Sequence, residues 1–145
     1  MESRISRRSP ASRVVVGVDD SAASAAALVW AMAEASRRQA ALHIVSAWEE
    51  PDPAQPDSAR VGDPAQIAAA RVRKALATVL RQGHRLRRVA CATPMSHPGK
   101  ALLDAADGAD LLVLGANGIS AGRVPGSTGL FCQRHARGPL VFVPA

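Results

Sequence analysis

Apolar positions fall into two rhythms along this chain. Val14 to Val18 is an unbroken apolar run, the pattern of a strand buried on both faces. Asp19, Asp20 and Ser21 follow and supply helix N-cap chemistry. From Ala22 to Arg38 the rhythm changes: Ala25, Leu28, Met32 and Ala35 recur at helical spacing. Ala41 to Trp48 reads as a second strand, and Glu49 to Gly62, with Pro51, Pro53 and Pro56, as a loop long enough to be unusual. Asp63-Pro64 opens a second helix as a cap followed by proline. Ala68, Ala69, Val72, Leu76, Val79 and Leu80 share its inner face, Arg71, Lys74 and Arg81 its outer face, and Gly83 its stop. Leu86 to Ala92 reads as a strand and Pro98 to Ala106 as a helix with Leu102 and Leu103 inward. Asp110 to Gly115 is a strand, Ala116 to Gly126 a glycine-rich loop, Ser127 to Ala136 a helix, and Pro139 to Val143 a last strand.

Strand and helix thus alternate throughout. The expected fold class is α/β: a doubly wound, five-stranded parallel sheet, right-handed crossovers, and helices on both faces. No repeat or linker divides the 145 residues, which suit one domain.

Composition narrows the function classes. Aromatic residues are 3% of the chain, against the several exposed rings that single-stranded nucleic acid needs. Cys91 and Cys132 are too few for a disulfide framework or a four-cysteine zinc site. His43, His84, His97 and His135 lack close metal-ligand spacing, so no metal site is expected. No apolar run reaches membrane-span length, and Met1 to Arg13 is basic without the apolar core of a secretory signal. A cytoplasmic protein with a disordered basic tail over residues 1–12 is the expectation. Net charge is +6, and Arg71, Arg73, Lys74, Arg81, Arg85, Arg87 and Arg88 lie within eighteen acid-free residues. That patch suits a polyanion, but charge runs are usually solvated surface, and nucleic acid is not the expected partner.

In such sheets the ligand crevice lies beyond the carboxyl ends of the strands, where strand order reverses. If the first and fourth strands are neighbours, Asp19 faces the loop after Gly115. Glycines there let the backbone approach a ligand, consecutive amides make an anion nest, and Gly126, Ser127 and Thr128 open a helix whose free N–H groups favour phosphate. An ordinary glycine turn with a serine cap would look the same, since short glycine motifs are weakly specific.

Four blocks carry a resemblance: Val14-Val-Val-Gly-Val-Asp19-Asp-Ser21 with Trp30 in the helix behind it, Leu42 to Trp48, Asp110 to Gly115 with its glycine loop, and Gly126-Ser127 through Arg134-His135-Ala136 to Val143. Together they resemble the universal stress protein family over nearly all of residues 13–145. The resemblance implies strand order 3-2-1-4-5 in an adenine nucleotide alpha hydrolase-like fold, a homodimer through the last strand, and ATP binding, with Mg2+, in some members. Carried over by position, Gly17, Val18, Asp19 and Ala47 hold the adenosine part. Gly115, Gly118, Gly126, Ser127 and Thr128 hold the phosphates, with Ala116 and Asn117 also in the site. Three departures stand out. Ile119 to Pro125 is seven residues, two fewer than ATP-binding members usually carry, or about 7 Å less contour. Asp20 stands where the family often has glycine, adding negative charge near a triphosphate. Ser96 falls about where a family glycine often precedes proline.

Other chemistry is weaker. A phosphorylation receiver would need a lysine ending the last strand, where Val143 is followed by Pro144. His43 reads as a half-buried hydrogen-bonding residue, His97 as a loop residue with no catalytic partner in view, and His135 as a helix-end cation. Cys91 and Cys132 read as core fillers, and Lys100 as solvated. No general base or activated nucleophile stands beside the proposed phosphates, so no catalytic residue is assigned. Three functions follow: a dimeric nucleotide-binding regulator, an interaction scaffold that has lost nucleotide (favoured by the short loop), and a polyanion binder.

Overall fold

The first strand, β1 (Arg13–Gly17), sits at the centre of the molecule because both its faces are apolar. The computed structural model describes residues 12–51, 54, 62–82, 85–116 and 126–145. The chain continues through α1 (Ala22–Arg38), β2 (Ala41–Val45), α2 (Pro64–Gln82), β3 (Val89–Ala92), α3 (Pro98–Ala106), β4 (Leu111–Gly115), α4 (Ser127–His135) and β5 (Leu140–Val143). All pairings are parallel and the strand order is β3-β2-β1-β4-β5, which is the expected fold class. No helix among the described residues is long and apolar enough to cross a membrane.

Alternation along the strands divides the core in two. Val14, Val16, Leu42, Ile44, Leu111 and Val113 face α1 and α2, where Met32, Ala27, Ala31, Val72 and Val79 meet them. Val15, Val45, Leu112 and Leu114 face the other way, toward Leu102 of α3 and Cys132 of α4. Both layers are built from small and branched side chains, and each fully buried Val, Leu or Met contributes roughly 1.5–3 kcal/mol.

Local chemistry sets the helix ends. Ser21 caps α1, its Oγ accepting from Ser24 N at 3.0 Å. Asp63 Oδ1 accepts from Ala65 N at the start of α2. His97 caps α3, Nδ1 accepting from Lys100 N at 3.3 Å. Gln39 ends α1 with φ 55°, a left-handed position more often given to glycine. Arg13, counted with the basic N-terminus, donates to the carbonyls of Ala105 within the last turn of α3 and of Asp107 just beyond it.

Several expectations are corrected. Regular β2 ends at Val45; Trp48 instead makes an isolated bridge to Met95, its indole donating to Thr93 O at 3.0 Å. β3 starts at Val89, three residues later than expected. Leu28, Met32 and Ala35 of α1 are buried as expected, but Ala25 is exposed, and Ala23, Ser24 and Ala27 fill the inner face at its start. Leu80 is 73% exposed: Val79 takes the buried position and Leu80 turns outward. Cys91 is exposed on the edge strand, whereas Cys132 is buried and its thiol is pushed up to about 11 by desolvation. His43 is half-buried with no side-chain hydrogen bond among the described residues. Gly83 and His84 lie outside the described residues.

Close packing of α3 on α4 needs Gly99: a Cβ there would stand 2.4 Å from Phe131 Cδ1. Gly99→Ala is expected to lower stability by about 1–3 kcal/mol through overpacking, while Gly138→Ala, with open space around its Cβ, stays within about 0.5 kcal/mol; urea unfolding measures both. Desolvation first, then Arg13 and Arg88, hold the His43 pKa below its ordinary 6.5. The unfolded chain therefore binds that proton more tightly, and this contribution to stability is lost as pH falls below about 6.5. His43→Gln should shallow the fall in stability between pH 7 and pH 5 followed by urea titration.

Candidate functional site

Parallel pairing of β1 with both β2 and β4 brings three strand tips to one end of the sheet. Beyond them lies a cleft of about 360 Å3. Gly17, Val18 and Asp19 enter from β1, Val45, Ser46 and Ala47 from β2, and Leu114 and Gly115 from β4. Gly126, Ser127, Thr128 and Gly129 close it from the start of α4, and Pro98 and Leu102 of α3 and Phe142 of β5 add apolar wall.

The turn after β1 is held by its own side chains. Asp19 N donates to Ser24 Oγ at 2.9 Å, and Asp19 Oδ1 accepts from Ser21 N at 2.7 Å. The carboxylate is thereby fixed at the cleft rim. Gly115 is required by packing: a Cβ would lie 2.6 Å from the backbone of Ala23. This glycine lets the first turn of α1 settle against the end of β4, and it also lines the cleft.

The α4 start differs from its counterparts. Ser21 and His97 cap α1 and α3 with side chains, but Gly126 makes no side-chain cap bond to α4. Leu130 N is the first α4 amide to reach a carbonyl, that of Gly126. The amides of Ser127, Thr128 and Gly129 precede it, have no intrahelical partner, and stand at the cleft. With the helix dipole they favour an anion. A Cβ added to Gly126 would meet nothing within 4 Å among the described residues.

Of the residues singled out from sequence, Gly17, Val18, Asp19, Ala47, Gly115, Gly126, Ser127 and Thr128 are brought together on this cleft. Ala116 is not: it is buried, and its amide donates to Val143 O at 2.8 Å, extending the sheet. Asn117, Gly118 and the segment Ile119 to Pro125 lie outside the described residues. His97 is occupied as the α3 cap, with its ring 4.8 Å from that of Phe131. The His135 ring also meets Phe131, tilted by 44° with centroids 4.5 Å apart, and Lys100 pairs with Asp104 in solvent.

Several cleft residues escaped sequence reasoning, among them Ser24, Gly129, Ser46 and Arg71. Ser46 is buried at 3% exposure on the cleft wall, and its hydroxyl has no protein partner among the described residues. Arg71, placed on the solvent face of α2 with Lys74 and Arg81, lines the cleft and pairs with Asp20, Nε to Oδ2 3.0 Å. The charge Asp20 adds is therefore matched locally. The rest of the basic patch, Arg73, Lys74, Arg81, Arg85, Arg87 and Arg88, is exposed. Only the fold brings residues 20 and 71 together, so helical periodicity carried no sign of that contact.

The sequence model of the universal stress protein family matches residues 10–144. This chain belongs to the universal stress protein family. A universal stress protein of Mycolicibacterium smegmatis is 34% identical over 139 residues, 90% of this chain and 47% of that protein; the chain spans about half the length of this curated relative. Among solved structures, a universal stress protein in complex with cAMP is 29% identical, covers 93% of this chain and 98% of its own, and has a TM-score of 0.71. The universal stress protein from Archaeoglobus fulgidus in complex with dAMP shares the fold, with 22% identity, coverage of 91% and 97%, and a TM-score of 0.67.

Proposed function

We propose that this universal stress protein is a cytoplasmic regulatory module of the stress response that binds an adenine nucleotide, ATP with Mg2+, in the cleft beyond β1, β2 and β4. The observation that carries the proposal is the start of α4: uncapped amides of Ser127, Thr128 and Gly129 open into the same cleft as Asp19. In this reading Gly17, Val18, Asp19 and Ala47 take the adenosine part, and Gly115, Gly126, Ser127 and Thr128 the phosphates. The related protein solved with cAMP supports the adenine class. Binding changes the order of the surrounding loops or the dimer surface, and rapid hydrolysis is not part of the reading. Shortness of the segment between Gly118 and Gly126 favours a second reading, a scaffold that works without nucleotide.

Isothermal titration with ATP and Mg2+ decides between the two. Saturable heat at or below millimolar nucleotide is expected, and its absence refutes binding. Gly126 has φ −60° and ψ 165°, a conformation open to alanine, so Gly126→Ala should keep the fold while its methyl intrudes on the cleft. About tenfold or greater loss of nucleotide affinity is expected, the scale of one lost charge-assisted hydrogen bond; a scaffold would keep its partner interactions.

We also propose that two copies join through β5, which pairs with β4 alone and has four half-buried residues. An open edge with apolar side chains is a template for strand or face pairing. Sedimentation equilibrium should give a dimer, and Val141→Lys, placing a charge on that edge, should shift it toward monomer. A wild-type monomer at all concentrations would sink the idea.

A further inference from the structure

The walls of the cleft are unequal in charge. Among its described lining residues Arg71 is the one cation and Asp19 the one anion. Arg71 comes from α2, on the side of the sheet opposite α3 and α4, and its side chain is 30% exposed. Its Nε donates to Asp20 Oδ2 at 3.0 Å, while Asp20, with a side chain 65% exposed, stands outside the lining. Asp20 is Arg71's one ion-pair partner among the described residues. On the same cleft Ser46 places a buried hydroxyl with no protein partner among the described residues.

We propose that Arg71 is the specificity-determining residue that makes this cleft select anionic over neutral ligands, and that it does so by exchanging Asp20 for the ligand's phosphate. This rests on the nucleotide reading above and names what in this chain reads the charge. An exposed Arg–Asp pair is worth little, commonly under about 1 kcal/mol, so releasing Asp20 costs little. The same guanidinium meeting a phosphate away from bulk water makes stronger, forked hydrogen bonds. Asp20 is then a competitor: it keeps the guanidinium at the rim while the cleft is empty and repels a bound phosphate. Arg71 adds the formal charge that the amides of α4, with their partial charges, do not carry.

The test is isothermal titration of the full chain with AMP and with adenosine, at one fixed ionic strength. Wild type, Arg71→Ala, Arg71→Lys and Asp20→Asn are compared, each checked by circular dichroism. Arg71→Ala should bind AMP about tenfold or more weakly, the scale of one charge-assisted hydrogen bond, with adenosine unchanged. Arg71→Lys should recover part of the loss, because it restores charge without the fork. Asp20→Asn should bind AMP more tightly than wild type and leave adenosine unchanged. An unchanged AMP affinity in Arg71→Ala, or parallel losses for AMP and adenosine, overturns the charge-reading role and leaves nucleotide binding standing. Weaker AMP binding by Asp20→Asn overturns the exchange. Wild-type protein that binds neither compound overturns the nucleotide reading and this inference together.

Discussion

Adjacency of β1 and β4 is the constraint on which the site depends. Val14, Val15 and Val16 lie beside Leu111, Leu112 and Val113 in parallel register, so Asp19 and Gly115, a few residues further along each chain, leave the sheet at the same end. A ladder displaced by one residue would exchange the two faces of β1, sending Val15 to α1 and α2 and Val14 and Val16 to α3. Burial on both faces forbids that slip. The cleft is accordingly positioned by core packing on either side of the sheet, before any polar residue acts.

Around that fixed point each glycine has its own physical task. Gly115 admits the first turn of α1 against β4, and Gly99 admits Phe131 against α3. A Cβ on Gly126 would meet nothing within 4 Å among the described residues, and its φ of −60° suits most residues. Among the described residues this glycine has neither a steric nor a conformational need, and it stands at the mouth of the cleft and the start of a helix with no side-chain cap. The same sequence feature, a glycine near a strand tip, therefore stands for packing at one position and for open space at another.

Electrostatics in the cleft follows from helices that meet there. The starts of α1 and α4 both border it, and their dipoles leave partial positive charge at that end. On α1 the charge is answered internally, by Ser21 and the Asp19 turn. On α4 it is left to solvent or ligand. Arg71 and Asp20 add a pair of full charges that cancel in sum, so the pair by itself gives this end of the cleft no net charge.

The alternation of apolar strands and amphipathic helices determined the α/β class, the element order and most helix ends, because burial period and cap chemistry are local properties. Val14 to Val18 had to be an inner strand, and Asp63-Pro64 had to open a helix. The strand order, and with it the proximity of residues 19 and 115, came from resemblance, since parallel pairing leaves no local mark. What only the tertiary structure decided lies in long-range contacts. Arg71 and Asp20 are fifty-one residues apart, and a charged residue on an outer helix face reads as solvated until the neighbouring turn is in place. Ser46 likewise looked like one more strand residue, and Ala116 like one more member of the loop. Its amide joins the sheet, because a strand's last hydrogen bond is set by its partner's length.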